Sequence, residues 1–201
     1  MNSIFNINSK VRLAIFDLGG IIMPIRMEKT ALAFAKLGAH EISAHVTASH
    51  AHDGIFNTYQ NGNISTPDFL KAVRTETGVS GTDEQIRDAW NAMLHEPNTD
   101  RLNLIKEIAK HTPTVLLSNS NDMHIVWARE HMQPFGGFES FFLKTYFSHE
   151  VHLSKPDPKI YELVLHEMNV NAQDAVFFDD SPLNIDAAKA LGIDARLVEA
   201  L

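Results

Sequence analysis

Short apolar runs that alternate with single helical patterns constrain the fold of this chain more than any other feature. The runs are rich in Val, Ile, Leu and Phe, a composition typical of strands that are buried on both faces of a sheet. Strands that are joined by one helix pair in parallel through right-handed crossovers. The sequence therefore predicts an α/β protein with a doubly wound parallel sheet. The predicted strands span residues 11–16, 114–118, 144–148, 175–178 and 193–198.

Helical patterns with little strand signal fill residues 24–96, between the first strand and the rest of the sheet. Thr66, followed by a proline, is typical of a helix N-cap, and Gly78 is typical of the end of that helix. Thr82 with a glutamine three residues later is a capping-box pattern that opens another helix. We therefore predict a small inserted α-helical unit. The core around it comprises residues 1–23 and 97–201.

Composition excludes several classes of function. The formal net charge of −8 disfavours nonspecific binding to nucleic acid or to an anionic membrane. The chain has no cysteine, which excludes disulfides and thiolate chemistry. It shows no signal-peptide pattern at its start, and no apolar run approaches the roughly 20 residues that span a membrane. We expect a cytoplasmic monomer or homodimer with no nucleic-acid or membrane partner.

Polar residues follow three of the predicted strands at the point where each strand ends. Asp17 follows the first, Ser118 ends the second, and Asp179 and Asp180 follow the fourth. Ligands bind at the carboxyl ends of the strands in such sheets. Three carboxylates there would repel one another unless a cation neutralised them, and oxygen ligands favour a hard ion such as magnesium. Together with Lys155, in the turn SKPDP, this chemistry suits a phosphoryl group.

Each of these residues also has a simpler interpretation. Ser118 can belong to an ordinary turn, Lys155 can be a solvated surface charge, and the two adjacent aspartates can complement a helix dipole. Ser181 is positioned to cap the helix that follows them. The conjunction at several strand ends favours a functional site over these separate explanations.

Four short segments resemble the motifs of the haloacid dehalogenase superfamily, in the same order along the chain. They are FDLGG with Asp17, the apolar strand that ends in Ser118, the SKPDP turn with Lys155, and FFDDSPLN with Asp180. The chain resembles in particular the small phosphatases that include bacterial α-D-glucose-1-phosphate phosphatase. The resemblance implies a Rossmann-like core with a helical cap over residues 24–96. It also implies a Mg²⁺-dependent phosphatase for a small phosphorylated metabolite such as a sugar phosphate.

The resemblance also assigns roles to individual residues. Asp17 would attack phosphorus and form an aspartyl phosphate that water then hydrolyses. Lys155 would neutralise charge on Asp17 and on the phosphoryl group, while Ser118 and Asn119 would bind the phosphate. The magnesium ligands would be Asp17, the main-chain carbonyl of Gly19 and Asp180. Asp179 and Asn184 would support the metal from outside its ligand set.

Gly19 departs from the common pattern of the family. Many members have a second aspartate there, two residues after the nucleophile, as general acid and base. Losing such a group costs roughly 10²–10⁴-fold in rate when the leaving group is poor. We expect the enzyme to favour leaving groups that need little protonation, such as those of an anomeric sugar phosphate or an acyl phosphate. Alternatively, a cap histidine supplies the proton.

Other polar and aromatic residues allow more than one interpretation. Five residues between positions 40 and 53 form a histidine-rich stretch whose spacing of five does not suit a helical metal site; they are His40, His45, His50, His52 and Asp53. They are expected to be solvated or half-buried, although His50, His52 or the nearby Phe56 can face the active site. Arg26 can reach a polar substrate or remain a surface charge. The aromatic patch at 138–142 suits the core or a dimer surface.

Two other functions remain open. A 2-haloacid dehalogenase uses the same aspartate nucleophile without a metal, and the pair Asp179 and Asp180 argues against it. A non-catalytic metabolite-binding protein is suggested only by the acid/base residue that is missing at Gly19. Dependence of activity on magnesium would separate the phosphatase from the dehalogenase.

Overall fold

The computed structural model describes residues 3–39 and 54–201, and a single parallel sheet lies at its centre. The five strands lie in the order β3-β2-β1-β4-β5, with all neighbouring pairs parallel. This order confirms the predicted doubly wound α/β fold. The strands are β1 (Leu13–Phe16), β2 (Thr114–Ser118), β3 (Lys144–Phe147), β4 (Ala175–Asp179) and β5 (Asp194–Leu197).

Helices cover both faces of the sheet and also form the inserted unit. In the described part of the insertion, residues 24–39 and 54–96, the helices are α1 (Met27–Lys36), α2 (Ile55–Gln60), α3 (Thr66–Thr77) and α4 (Asp83–Asn91). Further helices belong to the part of the chain around the sheet. They are α5 (Thr99–Ala109), α6 (Asp122–Met132), α7 (Ser148–Val151), α8 (Pro158–Met168) and α9 (Pro182–Ala190).

Alternation along the strands creates a separate apolar cluster on each face of the sheet. Leu13 and Ile15 of β1 pack on one face, and Ala14 and Phe16 pack on the other. The Phe16 ring stacks on that of Phe178 with 4.9 Å between ring centroids. Because every residue of β1, β2 and β4 is buried, the sheet provides a rigid base for the residues that follow these strands.

The inserted helices pack around an apolar cluster of their own. Phe34 of α1, Phe69 of α3 and Trp90 of α4 are buried in it. The two connections to the sheet domain run side by side, since Ile25 and Leu94 form an antiparallel bridge. This arrangement accords with an inserted unit, while its limits at residues 24 and 96 stay a prediction.

Several local predictions are confirmed and others need correction. The capping box at Thr82 and the left-handed Gly78 at the end of α3 are present. Ser65, and not Thr66, caps α3, because its hydroxyl accepts a hydrogen bond from the main-chain N–H of Asp68. Ser181 makes no side-chain capping bond at α9.

Two predictions about neighbouring segments are also resolved. The third strand ends at Phe147, because Ser148 already begins α7. The aromatic patch belongs to the core: Phe138, Phe141 and Phe142 are all buried.

The histidine-rich stretch from His40 to Asp53 lies outside the described residues. Within the described part of the chain, none of the helices is long and apolar enough to cross a membrane.

Candidate active site

The carboxyl ends of β1, β2 and β4 bring the predicted site residues to one edge of the sheet. Phe16 pairs with Leu116 of β2 and with Phe178 of β4, so the residues that follow these strands lie next to one another. Asp17, Ser118 and Asp180 all line a single cavity of about 450 Å³. Lys155 reaches the same cavity from the turn before α8.

Lys155 lies at the centre of the charged end of this cavity. Its Nζ is 2.8 Å from Oδ1 of Asp17 and 2.7 Å from Oδ2 of Asp179. The same ammonium donates a hydrogen bond of 3.0 Å to the main-chain carbonyl of Leu117. Burial alone would lower the pKa of Lys155, but the two carboxylates outweigh it and raise the pKa above its ordinary value. Lys155 is therefore held as a buried cation.

Asn119 determines where the main chain of Lys155 lies. Its Nδ2 donates a hydrogen bond of 2.7 Å to the carbonyl of Lys155, and its Oδ1 accepts one of 2.8 Å from the N–H of Lys155. The side chain that was predicted to orient the phosphate thus positions the lysine in this structure. Asn119 also lines the cavity. Its contact with a bound phosphate stays a prediction.

The two adjacent aspartates have different surroundings. Asp179 is fully buried, and its Oδ1 accepts hydrogen bonds of 2.8 Å from the Ser181 N–H and 3.0 Å from the Asn184 amide. The Asn184 amide also donates to Oδ2, the oxygen that receives Lys155. Asp180 lines the cavity instead. The assignment of Asp180 as a metal ligand and Asp179 as its support stays a prediction.

Asp17 carries a perturbed carboxyl group. Burial raises the pKa of Asp17 to about 7, because it penalises the ionised form. The positive charge of Lys155 opposes this rise, whereas the negative charges of Asp179 and Asp180 add to it. The ionised carboxylate thus needs more positive charge than Lys155 alone provides.

The charges at this end of the cavity fit a divalent cation. Asp17, Asp179 and Asp180 each have a carboxylate oxygen within 4.8 Å of the others, and they form the only such cluster among the residues that the structure describes. Lys155 forms ion pairs with Asp17 and Asp179, and its single positive charge is smaller than the negative charge of the three carboxylates. Carboxylate and carbonyl oxygens are the ligands that Mg²⁺ prefers. The donor set therefore fits the ion that the sequence predicts.

The two glycines after Asp17 have distinct structural roles. Gly20 has a φ of 71°, and a Cβ atom there would collide with the carboxylate of Asp180. Its bare backbone thus permits the approach of Asp180 to the loop after β1. At Gly19 a Cβ would lie 3.3 Å from Cγ1 of Ile25, so that a side chain there requires a small shift of Ile25. The φ of Gly19 is not in the left-handed region, so its backbone does not require glycine.

Several residues that line the cavity were not predicted as site residues. Trp90, Asn121, His124 and Gln60 contribute to its wall, and Phe56, which was considered, does so as well. Asn121 and His124 lie at the first turn of α6, directly after β2, so their place in the chain was an available signal. Trp90 showed only an apolar helical pattern. Arg26 instead donates hydrogen bonds to the carbonyls of Ile25 and Leu201.

The four motifs thus surround one cavity at the switch point of a doubly wound sheet, which is the architecture that the resemblance implied. The family model for haloacid dehalogenase-like hydrolases matches residues 11–192. This match covers most of the chain. The protein therefore belongs to the haloacid dehalogenase-like hydrolases, as the motifs predicted.

Two phosphatases and one solved enzyme structure are similar to this chain. D-ribitol-5-phosphate phosphatase of Bacteroides thetaiotaomicron is 28% identical over 186 residues, which cover 92% of this chain and 90% of the relative. A phosphorylated carbohydrates phosphatase of Thermotoga maritima is 43% identical over 56 residues, 28% of this chain and 26% of its own. A haloacid dehalogenase (HAD) family enzyme from B. thetaiotaomicron, solved with magnesium and inorganic phosphate, has a TM-score of 0.86 and 30% identity. That match covers 94% of this chain and 95% of the solved one.

Proposed function

We propose that the protein is a Mg²⁺-dependent phosphatase that acts on a small sugar or polyol phosphate through an aspartyl phosphate on Asp17. The observation that carries the proposal is the cluster of three carboxylates and one buried lysine at the end of a single cavity. The relatives support it, because two are named as phosphatases and a third was solved with magnesium and phosphate.

Magnesium would be held by Asp17, Asp180 and the main-chain carbonyl of Gly19. When bound, the ion would neutralise the repulsion between the carboxylate of Asp17 and the phosphate. Asp179 would act one layer further out, since Lys155, Asn184 and the N–H of Ser181 already bond its two oxygens. These contacts would keep the β4 end rigid under the metal ligand.

The reaction would proceed in two displacements at phosphorus. A carboxylate oxygen of Asp17 forms a bond to phosphorus, and the bond between phosphorus and the ester oxygen of the substrate breaks. A water oxygen then attacks phosphorus, the bond to Asp17 breaks, and inorganic phosphate leaves. The Lys155 ammonium, 2.8 Å from Asp17 in this structure, would offset charge on the nucleophile and on the phosphoryl group.

The phosphate would be oriented by groups at the end of β2. Ser118 lines the cavity and has a hydroxyl that can donate to a phosphate oxygen. Asn119 would contribute mainly by holding Lys155 at a fixed distance from the reacting atoms. Such positioning and charge neutralisation account for most of what phosphoryl transfer requires.

The proton for the departing oxygen has no carboxylic acid source at Gly19. It would come from water, or the leaving group would depart with little protonation. The second route would favour anomeric sugar phosphates and acyl phosphates, whereas a proton from water would also allow the phosphate of a polyol. We further propose that residues 24–96 act as a cap, because Phe56 and Trp90 of this segment line the cavity opposite the sheet.

A screen for phosphate release tests the proposed function. Sugar phosphates, polyol phosphates, nucleotides and acyl phosphates would be compared with and without Mg²⁺. We expect release only with the metal, and a loss of at least about 10³-fold in the Asp17→Asn variant, which lacks the nucleophile. Metal-independent halide release from 2-haloacids, without phosphate release from any ester, would contradict the proposal and favour the dehalogenase.

A further inference from the structure

The side chains that line the cavity are charged near the carboxylates and uncharged further away. Asp17, Asp180 and Lys155 are the only acidic or basic side chains that line it in the described part of the chain, apart from His124. All three lie at the end that would hold the phosphoryl group. The opposite part of the wall consists of apolar, aromatic and amide side chains. Among the described residues, the charge of this opposite part of the wall therefore depends on the state of His124.

The hydrogen bonds around His124 keep its imidazole neutral. Asn121 Oδ1 accepts from the indole N–H of Trp90 at 3.2 Å and from the main-chain N–H of His124 at 3.1 Å. Its amide nitrogen therefore faces Nδ1 of His124, at 3.1 Å, and must be the donor. The ring proton then resides on Nε2, which is 3.3 Å from the carbonyl of Trp90. A second proton on Nδ1 would point at a donor.

Burial acts in the same direction as these hydrogen bonds. It lowers the pKa of His124 to about 4, with a smaller opposing effect from the bond to the Trp90 carbonyl. The imidazole is thus uncharged at neutral pH. Its ring stacks on the indole of Trp90 with 5.2 Å between centroids, and Phe56 stacks on the same indole at 5.4 Å. The described part of the wall opposite the carboxylates is thus an uncharged surface that includes three stacked aromatic rings.

We propose that this wall selects phosphate esters whose organic part is uncharged, and that it excludes substrates with a second carboxylate or phosphate. The inference rests on the proposed phosphatase function and specifies its substrate class. A second anion would leave water for a surface that offers no cation other than Lys155 among the residues that the structure describes, which is unfavourable. The aromatic and amide groups suit the alternating C–H and O–H groups of a polyol or sugar.

A matched pair of substrates tests the selection. D-Ribitol 5-phosphate and D-ribonate 5-phosphate differ in one terminal group, which is CH₂OH in the first and a carboxylate in the second. We expect kcat/KM to be at least tenfold lower for the acid, mainly through a higher KM. Equal values within threefold, with release of phosphate from both, would overturn the inference and leave the phosphatase proposal intact.

A charge added to the wall provides the converse test. Gln60, the last residue of α2, lines the cavity, and Gln60→Lys should raise kcat/KM for the acid at least fivefold relative to the polyol. Gln133→Lys is the matched control, since Gln133 is exposed and does not line this cavity. It should leave the ratio unchanged. An equal change in both variants would contradict selection by the wall.

A binding measurement decides the inference even if no substrate is turned over. The Asp17→Asn variant would be titrated with both ligands by calorimetry in the presence of Mg²⁺. Tighter binding of the polyol phosphate, by at least tenfold, would support the uncharged wall as the selecting surface. Equal or tighter binding of the acid would overturn it, whether or not the wild-type protein is a phosphatase.

Discussion

Gly19 is the residue at which the chain departs from the common family pattern, and the structure permits a side chain there. A Cβ atom would lie 3.3 Å from Cγ1 and 3.7 Å from Cδ1 of Ile25, which would have to move by a few tenths of an ångström. The backbone conformation does not require the glycine, and the packing conflict is confined to this one side chain. We therefore test whether Gly19 is present because it determines which leaving groups the enzyme accepts.

The variant Gly19→Asp would introduce a carboxyl group next to the leaving oxygen. We expect it to raise kcat at least tenfold for the phosphate of a primary alcohol and little for an acyl phosphate, because only the first needs a proton donor. Gly19→Asn has the same size without an acid and serves as control. A similar increase for both kinds of substrate, or for both variants, would show that protonation is not what Gly19 limits.

His124 provides a pH-dependent test of the cavity wall. Its pKa is lowered from 6.5 to about 4 in the folded protein, so the unfolded chain takes up the proton first as the pH falls. The stability that the neutral ring contributes is complete above pH 6.5 and is lost as the pH falls towards 4. At 1.36 kcal/mol per pKa unit, the loss amounts to about 3 kcal/mol at most.

We expect His124→Phe to remove this part of the pH dependence. The variant also loses two hydrogen bonds, which costs about 1–3 kcal/mol at every pH, so only the slope is diagnostic. Urea unfolding between pH 7 and pH 4 measures the slope as free energy of unfolding against pH. His111→Phe, at an exposed position, should retain the wild-type slope. An unchanged slope in His124→Phe would show that the ring is not held neutral.

At the scale of elements, the loop after β1 owes its path to Gly20. The residue has a φ of 71°, and its missing Cβ gives space to the Asp180 carboxylate at the start of the β4–α9 connection. Two motifs that are more than 150 positions apart thus meet at one glycine. Any side chain there displaces a predicted magnesium ligand.

Gly78 allows this effect to be separated from backbone strain. Its φ of 67° matches that of Gly20, but a Cβ there would meet nothing within 4 Å. Gly20→Ala and Gly78→Ala should each lower the free energy of unfolding by about 1–2 kcal/mol, the cost of the left-handed conformation. Only Gly20→Ala should also weaken Mg²⁺ binding and phosphatase activity, each by at least tenfold. Equal activity of the two variants would contradict the predicted role of Asp180.

Element boundaries show where local patterns succeed and where they fail. The capping box at Thr82 was predictable because both partners lie within one helical turn. The cap of α3 was misplaced by one residue, since Ser65 and Thr66 are both good capping residues and the pattern does not choose between them. The third strand was predicted one residue too long. Ser148 is instead the first residue of α7, and its hydroxyl donates a hydrogen bond to the Gln60 carbonyl.

At the scale of the whole molecule, the sequence predicted the sheet and the charged end of the cavity for one reason. Residues that follow parallel strands must meet at one edge, so Asp17, Ser118 and Asp180 could be placed together without coordinates. The wall was not predictable in this way. Trp90 and His124 are 34 positions apart, and their contact depends on how the inserted helices pack on the start of α6. The local pattern of Trp90 does not distinguish it from an ordinary core residue, and the place of His124 shortly after β2 does not indicate its partner.

The inserted helices and the sheet domain also share hydrogen bonds that no local pattern indicates. The Thr66 hydroxyl donates a bond of 2.8 Å to Asp122, and the N–H of Met123 donates one of 3.2 Å to the hydroxyl of Tyr59. These contacts attach α2 and α3 to the first turn of α6, next to Asn121. The proposed cap and the wall of the cavity are therefore positioned by the same helix terminus.

The central claim is that Asp17 is the nucleophile of a Mg²⁺-dependent phosphatase, and trapping the phosphoryl group tests it most directly. The wild-type protein would be mixed with D-ribitol 5-phosphate and Mg²⁺, quenched in acid at times within the first turnover, and digested for mass spectrometry. The account predicts one phosphoryl group on the carboxylate of Asp17, which disappears without Mg²⁺ and in Asp17→Asn. Release of phosphate in the first turnover with no label on Asp17 at any time would contradict it.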